Sequence, residues 1–246
     1  MNTMARLSPH NSAKILPAGK WPGMHPNGII RSFVASRKKY LMAKRVFDLT
    51  VSGLVIVLVL SWLTPLLALL IKLDSRGPVF FSQKRIGRHG VGFICYKFRT
   101  MIRNKEADEV PAGENDERIT RIGKFLRRTN LDELPQFINV FKGDMSIVGP
   151  RPHMVADCIR FSFVISSYSF RSLLRPGITG WAQVNGYHGP TTDYDSVILR
   201  YYWDAMYVRK AGFILDLRIM WNTIKTGLLN IWEVIRGNKP KAENKG

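Results

Sequence analysis

Asp132 and Glu133 lie side by side in "RRTNLDELPQF", residues 127 to 137, with Arg127 and Arg128 before them and Pro135 after. Adjacent carboxylates beside arginines can do phosphate chemistry. One acid serves as a nucleophile or cation ligand, and the arginines supply fixed positive charge. Helix capping accounts for the same residues differently: Thr129 or Asn130 suits an N-cap, and Glu133 three residues after Asn130 completes a capping-box pattern. Acids in a first helical turn also meet the helix dipole favourably. Further on, Asp132, Gln136 and Asn139 form a polar line at i, i+4 and i+7, while Leu134, Ile138 and Phe141 form an apolar one. A polar stripe on a mostly apolar helix lines a site or a buried network.

Two loops punctuated by glycine and proline follow. Arg151 stands between prolines in "KGDMSIVGPRP", and Arg175 precedes Pro176 in "LRPGITGWAQVNG". A restricted backbone pre-positions each guanidinium for bidentate phosphate recognition, although a rigid turn carrying a solvated arginine leaves the same signature.

Among the elements that must hold these residues, the apolar run is the most distinctive. Residues 49 to 71, "LTVSGLVIVLVLSWLTPLLALLI", carry no charge over 23 positions. At ~1.5 Å per residue a straight helix of that length reaches about 35 Å, enough to cross a bilayer core. Thr64-Pro65 predicts a bend two-thirds of the way along. Spanning helices also tolerate proline, so the flanks decide. Residues 1 to 47 contain nine Lys or Arg and no acid, and residues 72 to 103 contain eight against Asp74 alone. Positive flanks mark the cytoplasmic side, and a re-entrant helix-break-helix with both ends in the cytoplasm satisfies both at once.

The 246-residue chain carries 37 Lys+Arg against 18 Asp+Glu, a net charge of +19. The length fits one main domain, and the charge attracts nucleic acid, an anionic membrane face or a phosphate-bearing substrate. Cys95 and Cys158 lack any CxxC or histidine pattern, which points away from a disulfide framework or zinc site and toward a reducing compartment. Residues 1 to 40 read as a mobile basic tail with affinity for anionic lipid, and 104 to 117 as an acidic surface loop. The run 77 to 101 reads as a β-hairpin about "GRHGVG". In 117 to 128, Ile119, Ile122, Phe125 and Leu126 share a helical face opposite arginines and a lysine, a basic amphipathic helix suited to the membrane interface.

In order along the chain, "KRVFDLTVSG", "GPVFFSQKRIG", "YKFRTM", "LDELPQFINVFKGDMSIVGPRP" and "RPGITGWAQVNG" resemble the successive motifs of the bacterial sugar transferases, monotopic polyprenyl-phosphate phosphoglycosyl transferases, over residues 44 to 232. The resemblance implies transfer of a hexose phosphate from a UDP-sugar to undecaprenyl phosphate with release of UMP, starting exopolysaccharide or other lipid-linked glycan synthesis. Asp132 matches the family's nucleophile, which forms a phosphosugar-aspartyl intermediate. Glu133 matches a residue that binds Mg²⁺ or handles the lipid phosphate, with Asp132 a second metal contact. Lys97, Arg127, Arg151, Arg175 and Asp204 match positions near the phosphates, Asp204 to orient an arginine or the metal. Thr64-Pro65 corresponds to the family's helix break. The match is to short forms, without the multi-span region of larger members. "NGYHGPTTD" resembles a stretch of hexose-phosphate transferases, with His188 in place of arginine, which makes glucose or galactose the expected sugar.

The expected fold is thus α+β and membrane-associated: a basic tail (1–40), a re-entrant membrane helix (41–73), a small cytosolic α/β catalytic domain with a β-hairpin and interfacial amphipathic helices (74–235), and a basic C-terminal tail (236–246). It is placed on the cytoplasmic face of a bacterial inner membrane. Expected partners are UDP-sugar, undecaprenyl phosphate, anionic lipid and downstream glycosyltransferases, with a homo-oligomer left open. A membrane-anchored nucleic-acid-binding protein is the alternative from another class; its RRM-like, helix-turn-helix or zinc pattern is missing from the sequence, so nucleic acid is not an expected partner. A catalytically silent scaffold, with the acids only a cap, is a third reading.

Overall fold

The computed structural model describes residues 36–102, 116–187 and 193–236. The acidic loop from 104 to 115, His188 and nearly all of both tails lie outside the described residues. Residues 38–40, assigned to the tail on composition, form the first turn of a helix.

That helix is the longest element. Lys38–Val55 (α1), a π turn over Ile56–Leu60 and Ser61–Asp74 (α2) run on as 37 residues, long and apolar enough to cross a membrane. Thr64 and Pro65 lie inside α2. Proline leaves the carbonyl four residues earlier without its donor. The hydrogen bonding loosens well before the proline, however, where the Ser61 N–H reaches back to the Ile56 carbonyl. Side chains take up the slack: Ser61 Oγ donates to the Val57 carbonyl at 2.6 Å and Trp62 Nε1 to that of Leu58 at 2.9 Å. Wider turns of this kind are the usual way a helix absorbs strain without exposing backbone to lipid.

Both ends of this helix are tied to one folded body. Before α1, Arg37 donates to the Arg209 carbonyl at 2.7 Å and to that of Ala211. After α2, Arg99 Nη2 donates to the Ser75 carbonyl at 2.6 Å, and Asp74 accepts the Ile122 N–H at 2.9 Å. Leu60, Leu67 and Ile71 bury themselves against Phe98 and Leu126.

The hairpin forms as expected: Phe80–Ile86 (β1) pairs antiparallel with Gly92–Phe98 (β2), with Phe80 opposite Phe98 and Phe81 opposite Lys97. The basic amphipathic helix is shorter than expected, Arg121–Arg128 (α3), because Thr120 caps it by accepting the Gly123 N–H and Ile119 instead bridges Met101. Ile122 and Leu126 face the core, while Phe125 is exposed. Gln136–Lys142 (α4) leads to Ser146–Val148 (β3), which pairs parallel with Gly177–Thr179 (β4). The two cross so closely at Gly149 that a Cβ there would lie 2.3 Å from the Arg175 carbonyl oxygen, so only glycine fits. Val155–Val164 (α5), Trp181–Val184 (α6), Tyr194–Lys210 (α7) and Phe213–Ile235 (α8) complete the fold. Its centre is an apolar cluster of Val140, Met145, Val148, Tyr207, Val208 and Ile219.

A buried polar knot joins α1 to this centre. Asp216 of α8 accepts from Lys44 Nζ (2.8 Å), Tyr40 (2.8 Å) and Tyr207 (2.7 Å), and Tyr207 also donates to the Val148 carbonyl at 3.2 Å. Asp48 accepts the Ile147 N–H at 3.1 Å. The long helix thereby grips β3 from its free side.

Candidate active site

The capping box does not form. Asn130 adopts a left-handed φ of 56° with no side-chain cap, Leu131–Glu133 makes a single tight 3₁₀ turn, and α4 begins only after Pro135. The Glu133 side chain turns away from its own backbone because two cations compete for it. Its Oε1 accepts from Lys97 Nζ at 2.5 Å and from Arg151 Nη2 at 2.6 Å, and its Oε2 accepts from Arg151 Nη1 at 3.2 Å. A charge-assisted, two-pronged arginine contact outweighs one backbone N–H.

Each cation is itself held. Lys97 rides on β2, and Asn139 of α4 locks that strand by accepting the Tyr96 N–H at 3.0 Å and donating to the Ile94 carbonyl at 2.6 Å. The polar line read from the sequence is buried along its whole length, at Asp132, Gln136 and Asn139. Arg151 is held through its backbone. Arg171 Nη2 donates to the Arg151 carbonyl at 2.6 Å, and Asp204 of α7 holds that guanidinium at 2.6 and 2.9 Å. Asp204 thus orients an arginine, one that was not among the expected site residues. Arg171 lies in "YSFRSLL" with no glycine, proline or neighbouring acid to mark it; its signal is spatial only.

Asp132 is placed differently. It is 7% exposed, its nearest cation is Lys97 Nζ at 3.9 Å, and among the described residues no hydrogen bond reaches its carboxylate. Burial pushes its pKa up to about 6, Lys97 opposes the rise, and the Glu133 charge adds to it. Burial acts on Glu133 the same way, but Arg151 and Lys97 overcome it and hold that carboxyl far below the usual range. Glu133 in turn keeps Arg151 firmly charged. Neighbouring acids are therefore split into a permanently ionised anchor and a basic, loosely held carboxylate, an arrangement that separates a positioning role from a reactive one.

The remaining expected residues divide. Arg127, at the end of α3, is half-buried and acts on Asp132 as a nearby positive charge. Arg175 is turned elsewhere: its Nε donates to the Gly143 carbonyl at 2.8 Å, and it sits in the field of Arg45 and Arg88. Thr64 and Pro65 line an apolar groove with Pro135 and Ile138, and none of the charged site residues is in its lining.

Among the described residues no three His, Cys, Asp or Glu side chains converge into a metal cage. The donors fit a cation that keeps most of its water and takes only one or two carboxylates. Asp132 is open to it, whereas at Glu133 a cation would displace a contact with Lys97 or Arg151.

A buried acid pair contacted by a lysine and an arginine is an arrangement suited to phosphate chemistry. Residues 39–230 match the bacterial sugar transferase family, and the chain belongs to it. It is 44% identical over 191 residues to the UDP-glucose:undecaprenyl-phosphate glucose-1-phosphate transferase of Escherichia coli (strain K12), a match covering 77% of this chain and 41% of that one. It is 43% identical over 194 residues to the exopolysaccharide production protein PSS of Rhizobium leguminosarum bv. phaseoli, covering 76% of this chain and 96% of that protein. Similarity to the undecaprenyl-phosphate galactose phosphotransferase of Salmonella typhimurium is 32% over 256 residues, covering 92% and 51%. The chain thus spans about two fifths of the Escherichia coli relative's length and nearly all of the Rhizobium one.

Proposed function

We propose that this protein moves a hexose 1-phosphate, glucose or galactose, from a UDP-sugar to undecaprenyl phosphate, releasing UMP, as the first membrane step of exopolysaccharide or lipid-linked glycan synthesis. The observation that carries the reading is the contrast within the acid pair. Glu133 is locked by Lys97 and Arg151, while Asp132 is buried, basic for a carboxylate and, among the described residues, free of hydrogen bonds. An Asp132 oxygen attacks the phosphorus that bears the sugar, and the bond from that phosphorus to the UMP oxygen breaks. An oxygen of the lipid phosphate then attacks the same phosphorus, the bond to Asp132 breaks, and the carboxylate is restored.

Lys97, Arg127 and Arg151 supply fixed charge for the phosphates, and Arg171 with Asp204 keeps Arg151 in place. Asp132 and Glu133 would hold a Mg²⁺ ion, which supplies neutralisation of the diphosphate. Arg175, drawn toward Gly143 with Arg45 and Arg88, serves a more distant part of the substrate.

The long helix enters the cytoplasmic face of the inner membrane and returns, leaving both termini in the cytoplasm. This reading is supported by the attachment of both helix ends, at Arg37 and at Asp74, to one domain, which a helix crossing to the far side would not allow. It is tested by single cysteines at Ser32 and Ser75, in a background lacking Cys95 and Cys158, which are expected to be shielded from an impermeant periplasmic reagent. The activity is tested by UMP release from a panel of UDP-sugars, with and without undecaprenyl phosphate. Failure of every UDP-sugar in the panel to yield UMP would end the reading.

A further inference from the structure

The tripeptide Arg151-Pro152-His153 is held along its whole backbone. Its three successive carbonyls each accept a hydrogen bond: that of Arg151 from Arg171 Nη2 at 2.6 Å, that of Pro152 from Arg85 Nη1 at 3.2 Å, and that of His153 from the Ile86 N–H at 3.1 Å. His153 adds a side-chain contact that the transfer step above leaves unused. The imidazole is 5% exposed, and its Nδ1 shares a hydrogen bond with the Tyr168 hydroxyl. Its Nε2 is buried without a partner among the described residues, so the ring's polar contact runs through Nδ1 alone. Burial, with Arg171 and then Arg200, Arg85 and Arg151 adding to it, pushes the ring's pKa well below the ordinary value and keeps it neutral.

Tyr168 opens a short 3₁₀ helix, Tyr168–Leu173, that also carries Arg171. Residues three apart eclipse in such a helix, so the two side chains rise from one face, and Arg171 Cζ lies over the Tyr168 ring, 5.3 Å from its centre. Together they grip both ends of the tripeptide: Arg171 takes the Arg151 carbonyl, and Tyr168 takes the His153 ring. Resting on the reading that Arg151 serves the phosphates, we infer that His153 is a positioning residue of the transfer reaction. Through Tyr168 it holds the 3₁₀ helix in register, so that Arg171 reaches the Arg151 carbonyl and the Arg151 guanidinium stays on Glu133. A ring present only for packing, edge-on to Phe161 at 5.7 Å, would leave turnover indifferent to its nitrogen.

The test uses the full chain in phospholipid nanodiscs and reads UMP release with undecaprenyl phosphate present, per folded molecule as judged by thermal melts. His153→Phe keeps a ring and deletes Nδ1, and Tyr168→Phe deletes the same hydrogen bond from the other side. Each is expected to lower kcat about tenfold with KM for the UDP-sugar within about twofold, the pattern of an interaction felt in the transition state. His153→Asn, whose neutral amide stands where Nδ1 does, is expected to bring kcat to within about threefold of the unsubstituted protein. Because both residues act through one contact, the double variant carrying His153→Phe and Tyr168→Phe should fall no further than either alone, where independent roles would multiply to about a hundredfold. Unchanged kcat in the single variants, a multiplied loss in the double variant, or no recovery with asparagine overturns the inference. If His153→Phe does not fold, Tyr168→Phe and His153→Asn decide the matter by the same criteria. Absence of UMP release from the unsubstituted protein removes the parent reading, and the inference with it, a result that the pattern among the variants cannot mimic.

Discussion

Two buried aspartates show opposite solutions to the same problem. Asp216 is surrounded by Lys44, Tyr40 and Tyr207, each donating within 2.8 Å. Asp132, about equally buried, has one cation at 3.9 Å and no donor among the described residues. A buried carboxylate costs several kcal/mol unless it is paired and hydrogen-bonded. Asp216 is compensated and serves as a fastener between the long helix and the core. Asp132 is undercompensated, which keeps its oxygen lone pairs available and its basicity high. The difference separates architecture from chemistry within one domain.

The contrast breaks first at Asp132→Asn. The amide is nearly isosteric but cannot form the acyl phosphate, so UMP release should fall about a thousandfold or more while membrane association persists. Wild-type turnover would move the nucleophile elsewhere. Asp216→Asn should act on the other axis, losing roughly 3 kcal/mol of stability by stranding Lys44. Denaturant midpoints and turnover per folded molecule measure it, and unchanged stability would show the knot to be dispensable.

The sign of the Asp132 contribution sharpens the comparison. Its folded pKa, raised from 3.8 to about 6, means that ionisation costs stability as pH rises through that interval. Asp132→Asn should therefore stabilise the protein by about 1–2 kcal/mol at pH 7.5, after allowance for partial screening, and the gain should vanish below about pH 4. Thermal melts at the two pH values check this. The activity of the unsubstituted enzyme runs the other way: the first half-reaction needs the ionised acid, so UMP release should fall about tenfold per pH unit below about 6. The smallest effect expected is at Arg171→Lys, which keeps the charge but loses the fork between Asp204 and the Arg151 carbonyl. It should lower kcat about tenfold with little change in melting temperature. An equal fall in stability would make Arg171 structural only.

Much of the catalytic contrast was legible in the sequence, and the architectural half was not. Asp132, Glu133 and Arg151 sit in short motifs with proline or adjacent charge to flag them, whereas Lys97, between Tyr96 and Phe98, is reached only through the family resemblance. Asp216 and Lys44 are 172 positions apart and carry no local pattern. The capping box was a fair reading of Asn130 and Glu133 that failed because capping energies near 1 kcal/mol yield to two ionic partners supplied by the tertiary fold. The hairpin and the amphipathic helix followed their periodicity. Arg175 carries the same Arg-Pro signature as Arg151 yet points toward Gly143, since a rigid backbone fixes where an arginine starts and not where it ends. The bend expected at Thr64-Pro65 does not show there: Pro65 lies inside α2, and the irregular hydrogen bonding falls upstream over Ile56–Leu60, where Ser61 and Trp62 serve the loosened carbonyls.

The attachment of the long helix at both Arg37 and Asp74 has a mechanical consequence. Ordinary transmembrane helices accommodate thin or thick bilayers by tilting, at a modest cost per ångström. A helix pinned at its two ends to one rigid body has lost that freedom. Asp48, which accepts the Ile147 N–H, carries that constraint on to β3, so the helix cannot shift along its axis without disturbing the strand beneath it.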